Sequence, residues 1–569
     1  MTEEEVFGLE DRETVRKYAL QNALEYCGQG EPGSVLGRVL AEKEHLRVRV
    51  KGLLSLVNEE VTRANSIARE DGIEMVRKEL ESFAPEALDR ERQKKNEGLK
   101  DLPGNTSEVI LRFAPNPNGP LSLGHSRGVA INSLYAEKYQ GKIVLRFDDT
   151  DTKVKPPMND AYGWIEEEFE WMSGRAADVV IRASERMPIY LQYAEKMLIG
   201  GFGYVCKCNA EDFREFRISK TECPCRHKSV QQNMEDWGEM NSGEIDEGGA
   251  VVRVKTGMDL PNPALRDWPA LRIQHSPHPL VGDTYKVWPL LDFQSAIEDH
   301  LQGVSHIIRG KDLMDSTRKQ TILYEHFGWD YPESLYWGRV KIHEFGGFST
   351  SKMSSSIDSG EFSGWDDPRL PTIRAMRRRG FDPRSLAELW GEVGLTQKDI
   401  SISMKTLESF NSRIIDGDSE RRVFVSNPKS LDLSAESIPP RVMMARHPDG
   451  EIEGFRVWEV GMTVLIQDSD FVEGKLRLKD FADIKISGSS ATIESIDRSD
   501  ERKIVHWIPE KLSIEAIMSV PDGEEISEIK GVLEEFELTK GEVYQLERVG
   551  FAKFEGIQGG IARLLWLHD

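Results

Sequence analysis

Apolar residues along the first hundred positions recur at helical spacing. Residues 15–24 carry one apolar stripe, 28–33 interrupt it, 35–40 begin another, and aliphatics continue from 46 to 61. The charged run 90–97 lacks apolar anchors and leads into a Gly/Pro/Asn-rich link at 98–105, which closes a helical appendage over residues 1–100. From 107 to 205 short apolar runs alternate with helical patterns, the order of a doubly wound, Rossmann-type nucleotide-binding fold. Residues 206–280 break that order with alternating strands at 250–255 and 266–273, an insertion between two halves. The second half, 281–381, returns with a strand at 288–293, a helix at 294–301 and a strand-like run at 303–312. A helical connector over 382–415 leads to 416–569, where short runs at 422–425, 464–466, 476–478 and 503–509 are divided by Gly and Asp turns. That last pattern predicts β-barrel modules, and the whole chain reads as an α/β multidomain protein.

With 569 residues there is material for several large cores, and 39% hydrophobic against 30% charged residues describes a soluble globular chain. No run of 18 apolar residues is present, so no membrane span or membrane partner is expected. The acidic N-terminus has no apolar signal region, which predicts a cytoplasmic protein. A net charge of −23 argues against a simple nucleic-acid binder unless basic residues gather on one face. The run 374–379, with four arginines, is such a gathering; a solvated helix face and a nucleic-acid contact are both open readings.

Four of the five cysteines sit together, Cys206 and Cys208, then Cys223 and Cys225. Paired thiols at this spacing suggest a structural zinc knuckle, with His227 close enough to replace one of the last two; buried free thiols are the alternative. Cys27 stands alone and reads as a small buried hydrophobe.

The strongest chemical signal is 111–125, LRFAPNPNGPLSLGH. An apolar strand enters a loop of three prolines and a glycine, and small residues then open a helix. Backbone N–H groups and the positive end of a helix dipole would there face an anion. Gly124 lets a flat ring approach the backbone, and His125 supplies a donor at phosphate distance. A second strand, 142–147, ends in Asp148-Asp149-Thr150-Asp151, carboxylates at the edge where such sheets bind ligands, though an Asp-rich turn reads the same way.

RFAPNPNGPLSLGH resembles the nucleotide-binding signature of class I aminoacyl-tRNA synthetases, and specifically of the glutamyl/glutaminyl group, R-F-x-P-x-P-x-G-x-L-H-x-G-H. The first histidine of that pattern is Ser122 here; a hydroxyl still donates to a phosphate oxygen, and His125 carries more of the work. The resemblance implies ATP contacts from Pro115, Asn116, Ser122, Leu123, Gly124 and His125. LRFDDTD falls on the group's [RF]-[DE]-D-T motif, which implies that Asp148 holds the amino group of the amino-acid substrate. Arg112 and Arg309 would fork its two carboxylates, and since glutaminyl enzymes carry a neutral residue at the position of Arg309, glutamate is implied. Leu291 departs from the tyrosine common at its place.

Residues 348–356, FSTSKMSSS, are similar to the group's K-M-S-K-S loop, and the preceding Gly346-Gly347 suggest mobility. Two registers compete. Taking Lys352 as the second lysine makes Ser349, Thr350, Ser351 and Lys352 the ATP-facing element, and this register keeps the distance to a further family match at 364–373; the other places Ser355 at that lysine. The insertion resembles the acceptor-stem-binding domain. The 503–509 and 545–551 segments resemble the anticodon-binding barrels of archaeal-type glutamyl and of glutaminyl enzymes, where bacterial glutamyl enzymes have helices. The resemblance thus implies a glutamate–tRNA ligase using ATP and Mg²⁺, with L-glutamate and tRNA(Glu) as partners and tRNA(Gln) as a further candidate acceptor. His125 and Lys352 are its implied catalytic pair. A glutaminyl-tRNA synthetase and a non-catalytic tRNA-binding paralogue are the rival readings.

Overall fold

The apolar stripes of the N-terminal region become four helices, Leu9–Glu25, Pro32–Glu42, Val50–Glu70 and Ile73–Phe83, in a computed structural model that describes residues 7–26, 28, 30–87, 99–345, 349–435, 438–449 and 452–569. Val15, Ala19, Ala23, Val35, Val39, Leu53, Val57, Val61 and Leu80 form their shared core. The turn between the first two helices is pinned by Asn65, whose side chain both accepts from the Gly30 N–H and donates to its carbonyl. Met1–Glu97 is one compact unit and Gly98–Asp569 another. The expectations for Cys27, for the charged run 90–97 and for the glycines at 346–347 lie outside the described residues.

In the second unit the strand Ile110–Phe113 pairs in parallel with Lys142–Phe147, which pairs in parallel with Val179–Arg182. On the other side of Ile110–Phe113 runs His306–Gly310, joined to it by the Ser305 N–H to the Ile110 carbonyl (2.9 Å), and that strand pairs in parallel with Glu333–Trp337. Chain order therefore reverses between Ile110–Phe113 and His306–Gly310, the switch point beside which doubly wound sheets bind ligands. Both strands end there: one in the proline-rich loop, the other in Arg309-Gly310.

The insertion is an antiparallel sheet of Gly203–Cys206, Val251–Val254, Pro269–Ile273 and Val287–Pro289. In place of the strand expected at 288–293 to open the second half of the nucleotide fold, Val287–Pro289 pairs with the insertion, because Trp288 packs with Trp268 into that core, and the helix Leu291–Leu301 already starts within the expected strand. The connector is not continuously helical either: Ile400–Ile402 interrupts Pro383–Val393 and Met404–Ile415 and pairs with Val340–Ile342.

Two seven-stranded sheets complete the unit. The edge strands of the first, Arg421–Arg422 and Phe424–Ser426, are separated only by Val423, and those of the second, Lys503–Val505 and Trp507–Pro509, only by His506. Each sheet is thereby closed into a barrel, which leaves no free edge. No helix among the described residues is long and apolar enough to cross a membrane.

Candidate functional site

The proline-rich loop after Ile110–Phe113 is tied to the neighbouring strand end. The Pro115 carbonyl accepts the Asp148 N–H (3.0 Å), and the Asn116 amide donates to the Asp148 carbonyl (2.9 Å), leaving Asn116 Oδ1 buried without a partner. The following helix, Leu123–Tyr139, starts with a capping box. Ser122 Oγ accepts the His125 N–H, and His125 Nδ1 accepts the Ser122 N–H at 3.2 Å. With Nδ1 an acceptor, a neutral imidazole carries its proton on Nε2, directed away from the cap as a donor. The protein atoms gathered round its ring and the nearby Lys155 ammonium lower the pKa of His125, whose side chain is still open to solvent, and this favours the neutral form. Ser122, in the place of the family's histidine, is thus a cap residue: its oxygen accepts the His125 N–H and its hydroxyl, 3.2 Å from His125 Nδ1, can donate to that ring nitrogen.

The second nucleotide motif is a helix, Thr350–Asp358, rather than a flexible serine-rich loop. Ser349 caps it by accepting the Lys352 N–H, and Met353 anchors it in the core, so the serines face outward on an anchored element. Ser349 and Ser351 hydroxyls lie 3.2 Å apart. Lys352, 55% exposed, has its Nζ 3.9 Å from Glu524, at the tip of a long barrel hairpin, Ser513–Asp522 and Glu525–Glu534; Arg369 donates to the Glu524 carbonyl beside it.

The two motifs meet. A Cβ on Gly119 would stand 2.9 Å from Thr350 Cγ2 and 3.3 Å from Trp365, so only glycine permits this approach. Behind it, Leu121 and Leu123 exchange backbone hydrogen bonds with Ile373 and Pro371, both 2.8 Å. The Leu121 N–H is received at 2.7 Å by Glu168, 1% exposed, whose carboxyl is pushed up to about 8 by burial. Neither Glu168 nor Lys155 was singled out from the sequence. Lys155 sits in the loop after the aspartate run, held against the proline-rich loop by the Met158 N–H to the Pro117 carbonyl (2.8 Å), and that lysine after DDTD was the available signal.

Beneath this corner lies a buried charge cluster. Asp148 Oδ1 accepts from Arg146 Nε (2.8 Å) and Gln294 Nε2 (2.7 Å). Arg146 also meets Asp299 at 2.6 Å, and Arg112 Nε is 3.5 Å from the same carboxylate. Burial pushes the Asp148 carboxyl up, against the pull of Arg146 and Arg112, and burial likewise lowers Arg112. Arg309 is within electrostatic reach of Arg112 and only 4% exposed, yet it forms no ion pair with a carboxylate among the described residues. Its Nη2 donates to the neutral oxygens of Thr317, Gln320 and Tyr331. Three guanidiniums therefore face two carboxylates, an excess of one positive charge. Leu291 is 44% exposed and brings no polar side-chain atom here.

The four thiols of Cys206, Cys208, Cys223 and Cys225 lie within 4.8 Å of one another, with Cys206–Cys223 at 3.9 Å and Cys208–Cys225 at 3.8 Å. His227, the alternative ligand, is not brought to them: its Nε2 pairs with Glu222 at 3.0 Å on an exposed side chain. The arginine run is not an open basic face. Arg374 and Arg377 pair with Glu167, Arg378 with Glu555, and buried Arg379 donates to the Leu567 carbonyl, so the short helix Ile373–Arg379 joins neighbouring elements. A groove between the barrels, a cavity of 880 Å³, is lined by Arg421, Arg477, Lys479 and Arg548 together with Asp480 and Glu547, beside exposed Met443 and Phe455; these cations too have acidic partners, Arg421 with Asp416, Arg477 with Asp483, Lys479 with Glu547 and Arg548 with Asp470. Arg548, with His506 and Glu547 of the same lining, falls in the 503–509 and 545–551 segments singled out from the sequence for their resemblance to anticodon-binding barrels, whereas Arg421, Arg477 and Lys479 lie outside both.

Residues 108–417 match the family model of tRNA synthetases class I (E and Q), catalytic domain. Over 572 residues the chain is 42% identical to a glutamate–tRNA ligase of Methanosarcina mazei, covering 97% of each chain. It is 42% identical over 557 residues to one of Archaeoglobus fulgidus, covering 96% of this chain and 98% of that one. With one of Pyrococcus furiosus the identity is 39%, covering 97% and 98%.

Proposed function

Because the chain belongs to the class I tRNA synthetases of the glutamate and glutamine group and is a glutamate–tRNA ligase, we propose that its buried guanidinium cluster selects glutamate by charge. The observation that carries this is Arg309, buried with no anion of its own among the described residues. At neutral pH glutamate has two carboxylates and one ammonium, a net charge of −1 that balances the cluster's single excess positive charge; glutamine would leave that charge uncompensated. Arg112 and Arg309 are the forks for the carboxylates, and Asp148 receives the ammonium, which would offset the burial that raises its pKa.

ATP would lie across the Gly119–Thr350 junction, its ring against Gly124 and its triphosphate between the His125 Nε2–H, Ser122, Lys155 and Lys352. The glutamate α-carboxylate attacks the α-phosphorus, pyrophosphate leaves, and a ribose hydroxyl of the tRNA 3′ end then attacks the mixed anhydride, releasing AMP. The protein's share is alignment and the offsetting of charge that spreads over phosphate oxygens. Mg²⁺ would be held by those oxygens and water. The groove between the barrels suits a single-stranded anticodon, with cations for its phosphates and apolar side chains for its bases. Purified enzyme should load labelled glutamate onto tRNA(Glu); loading onto tRNA(Gln) in parallel would make it non-discriminating, and failure on tRNA(Glu) would overturn the assignment.

The cysteine cluster fits zinc. Four ligands at about 2.3 Å from a tetrahedral ion stand about 3.8 Å from one another, close to the two thiol separations here. Four protein ligands leave no open position, so the ion would serve as a clip for the insertion. Metal analysis of the purified protein should find one zinc per chain, lost with a fall in thermal stability in Cys206→Ser; a zinc-free protein of undiminished stability would dismiss the clip.

A further inference from the structure

The hydrogen bonds around Arg309 hold one terminal nitrogen of its guanidinium with uncharged groups. Nη2 lies 2.6 Å from Thr317 Oγ1, 2.7 Å from the Tyr331 hydroxyl and 3.0 Å from Gln320 Oε1. Tyr331 donates its own proton to Gln320 Oε1 at 2.7 Å, so its oxygen meets Arg309 as an acceptor. Burial pushes the Tyr331 pKa up to about 12, which keeps that proton in place at neutral pH. Gln320 Nε2 reaches back to the Asp292 carbonyl, and Tyr336 donates to Thr317 Oγ1. The result is one continuous chain, from Tyr336 through Thr317, Arg309, Tyr331 and Gln320 to Asp292.

Two consequences follow from its make-up. None of the groups receiving Nη2 is a carboxylate, so none neutralises Arg309; Arg112, by contrast, already faces Asp299. And three oxygens that share the two protons of one terminal nitrogen resist rotation of the guanidinium, which leaves Nη1 and Nε for a ligand, Nε being buried without a hydrogen-bond partner. A cation held in one plane with its charge intact turns its remaining N–H donors to a carboxylate and meets an amide NH₂ donor to donor. Were Arg309 free to swing, the oxygens of Thr317, Gln320 and Tyr331 would be uncovered, and they are acceptors suited to an amide.

We propose that Tyr331, Thr317 and Gln320 are positioning residues that fix the plane of Arg309 and so set the discrimination of glutamate against glutamine. This rests on the reading of Arg309 as the partner of the substrate's side-chain carboxylate. The test is charging of tRNA(Glu) by full-length Tyr331→Phe, Thr317→Val and Arg309→Leu, with glutamine as competitor. Tyr331→Phe and Thr317→Val should each raise the KM for glutamate roughly tenfold, strengthen inhibition by glutamine several-fold and leave the KM for ATP unchanged, and Thr317→Ser should restore the parent values. If Arg309→Leu leaves the glutamate KM unaltered, the reading of Arg309 itself fails. If Arg309→Leu is crippled while Tyr331→Phe and Thr317→Val keep the parent glutamate KM and glutamine inhibition, or raise both KM values alike, the positioning role alone is refuted.

Discussion

Arg309→Leu is expected to lower kcat/KM for glutamate by about a thousandfold and to raise the value for glutamine. Removing one member of a buried charge pair strands the other without water or counter-charge, at a cost of about 3–5 kcal/mol, and each 1.36 kcal/mol is about a factor of ten. Arg112 does not compensate, since it shares Asp299 with Arg146. Without Arg309 the pocket holds two guanidiniums against Asp148 and Asp299, no net charge, which suits a zwitterion such as glutamine better than an anion. The ratio of the two kcat/KM values should therefore collapse further than the glutamate value alone conveys. Charging of tRNA(Glu) with each labelled amino acid measures both. A variant that keeps its preference for glutamate would remove charge balance as the basis of selection.

The parts of this arrangement that could be read along the chain are those carried by local order. Arg112 and Arg309 stand in apolar runs that become the two strands flanking the switch point, so strand order alone brings them together. Asp148 follows the next strand for the same reason. Arg146 was overlooked because inside LRFDDTD it reads as one polar position of an alternating strand; its role depends on Asp299, in the middle of the distant helix Leu291–Leu301. Glu168 was overlooked because it sits in the acidic run Glu166-Glu167-Glu168, two members of which look outward, and only packing of its helix beneath Leu121 buries the third.

The departures have the same origin. A serine-rich stretch with one lysine has the composition of a linker, but a serine cap and the buried Met353 make it a helix. Four arginines in six residues look like a basic face until acids from another helix and a barrel strand are placed against them. Barrel-type strands were legible from their turns and alternation, whereas closure was not, since it depends on the chain leaving one edge and returning to the other across a single residue, Val423 or His506.

Lys352→Ala should lower the rate of glutamyl-adenylate formation by about a hundred- to a thousandfold, the loss seen when one preorganised donor to a developing negative charge is removed. Charge gathers on the departing pyrophosphate as the bond to the α-phosphorus breaks, and a flexible ammonium on the helix that abuts Gly119 can follow it. The resting contact with Glu524 offers little resistance: at 3.9 Å between two side chains that are both more than half exposed, it is the kind of pair worth ~0–1 kcal/mol, and a triphosphate displaces it. Binding of tRNA should be unaffected, because the groove between the barrels is built from other residues. ATP–pyrophosphate exchange in the presence of tRNA(Glu), with tRNA affinity measured separately, checks both halves. Ser355→Ala, in the position that the competing register would give the lysine, should be silent. Full activity in Lys352→Ala together with a loss in Ser355→Ala would transfer the assignment one helical turn along.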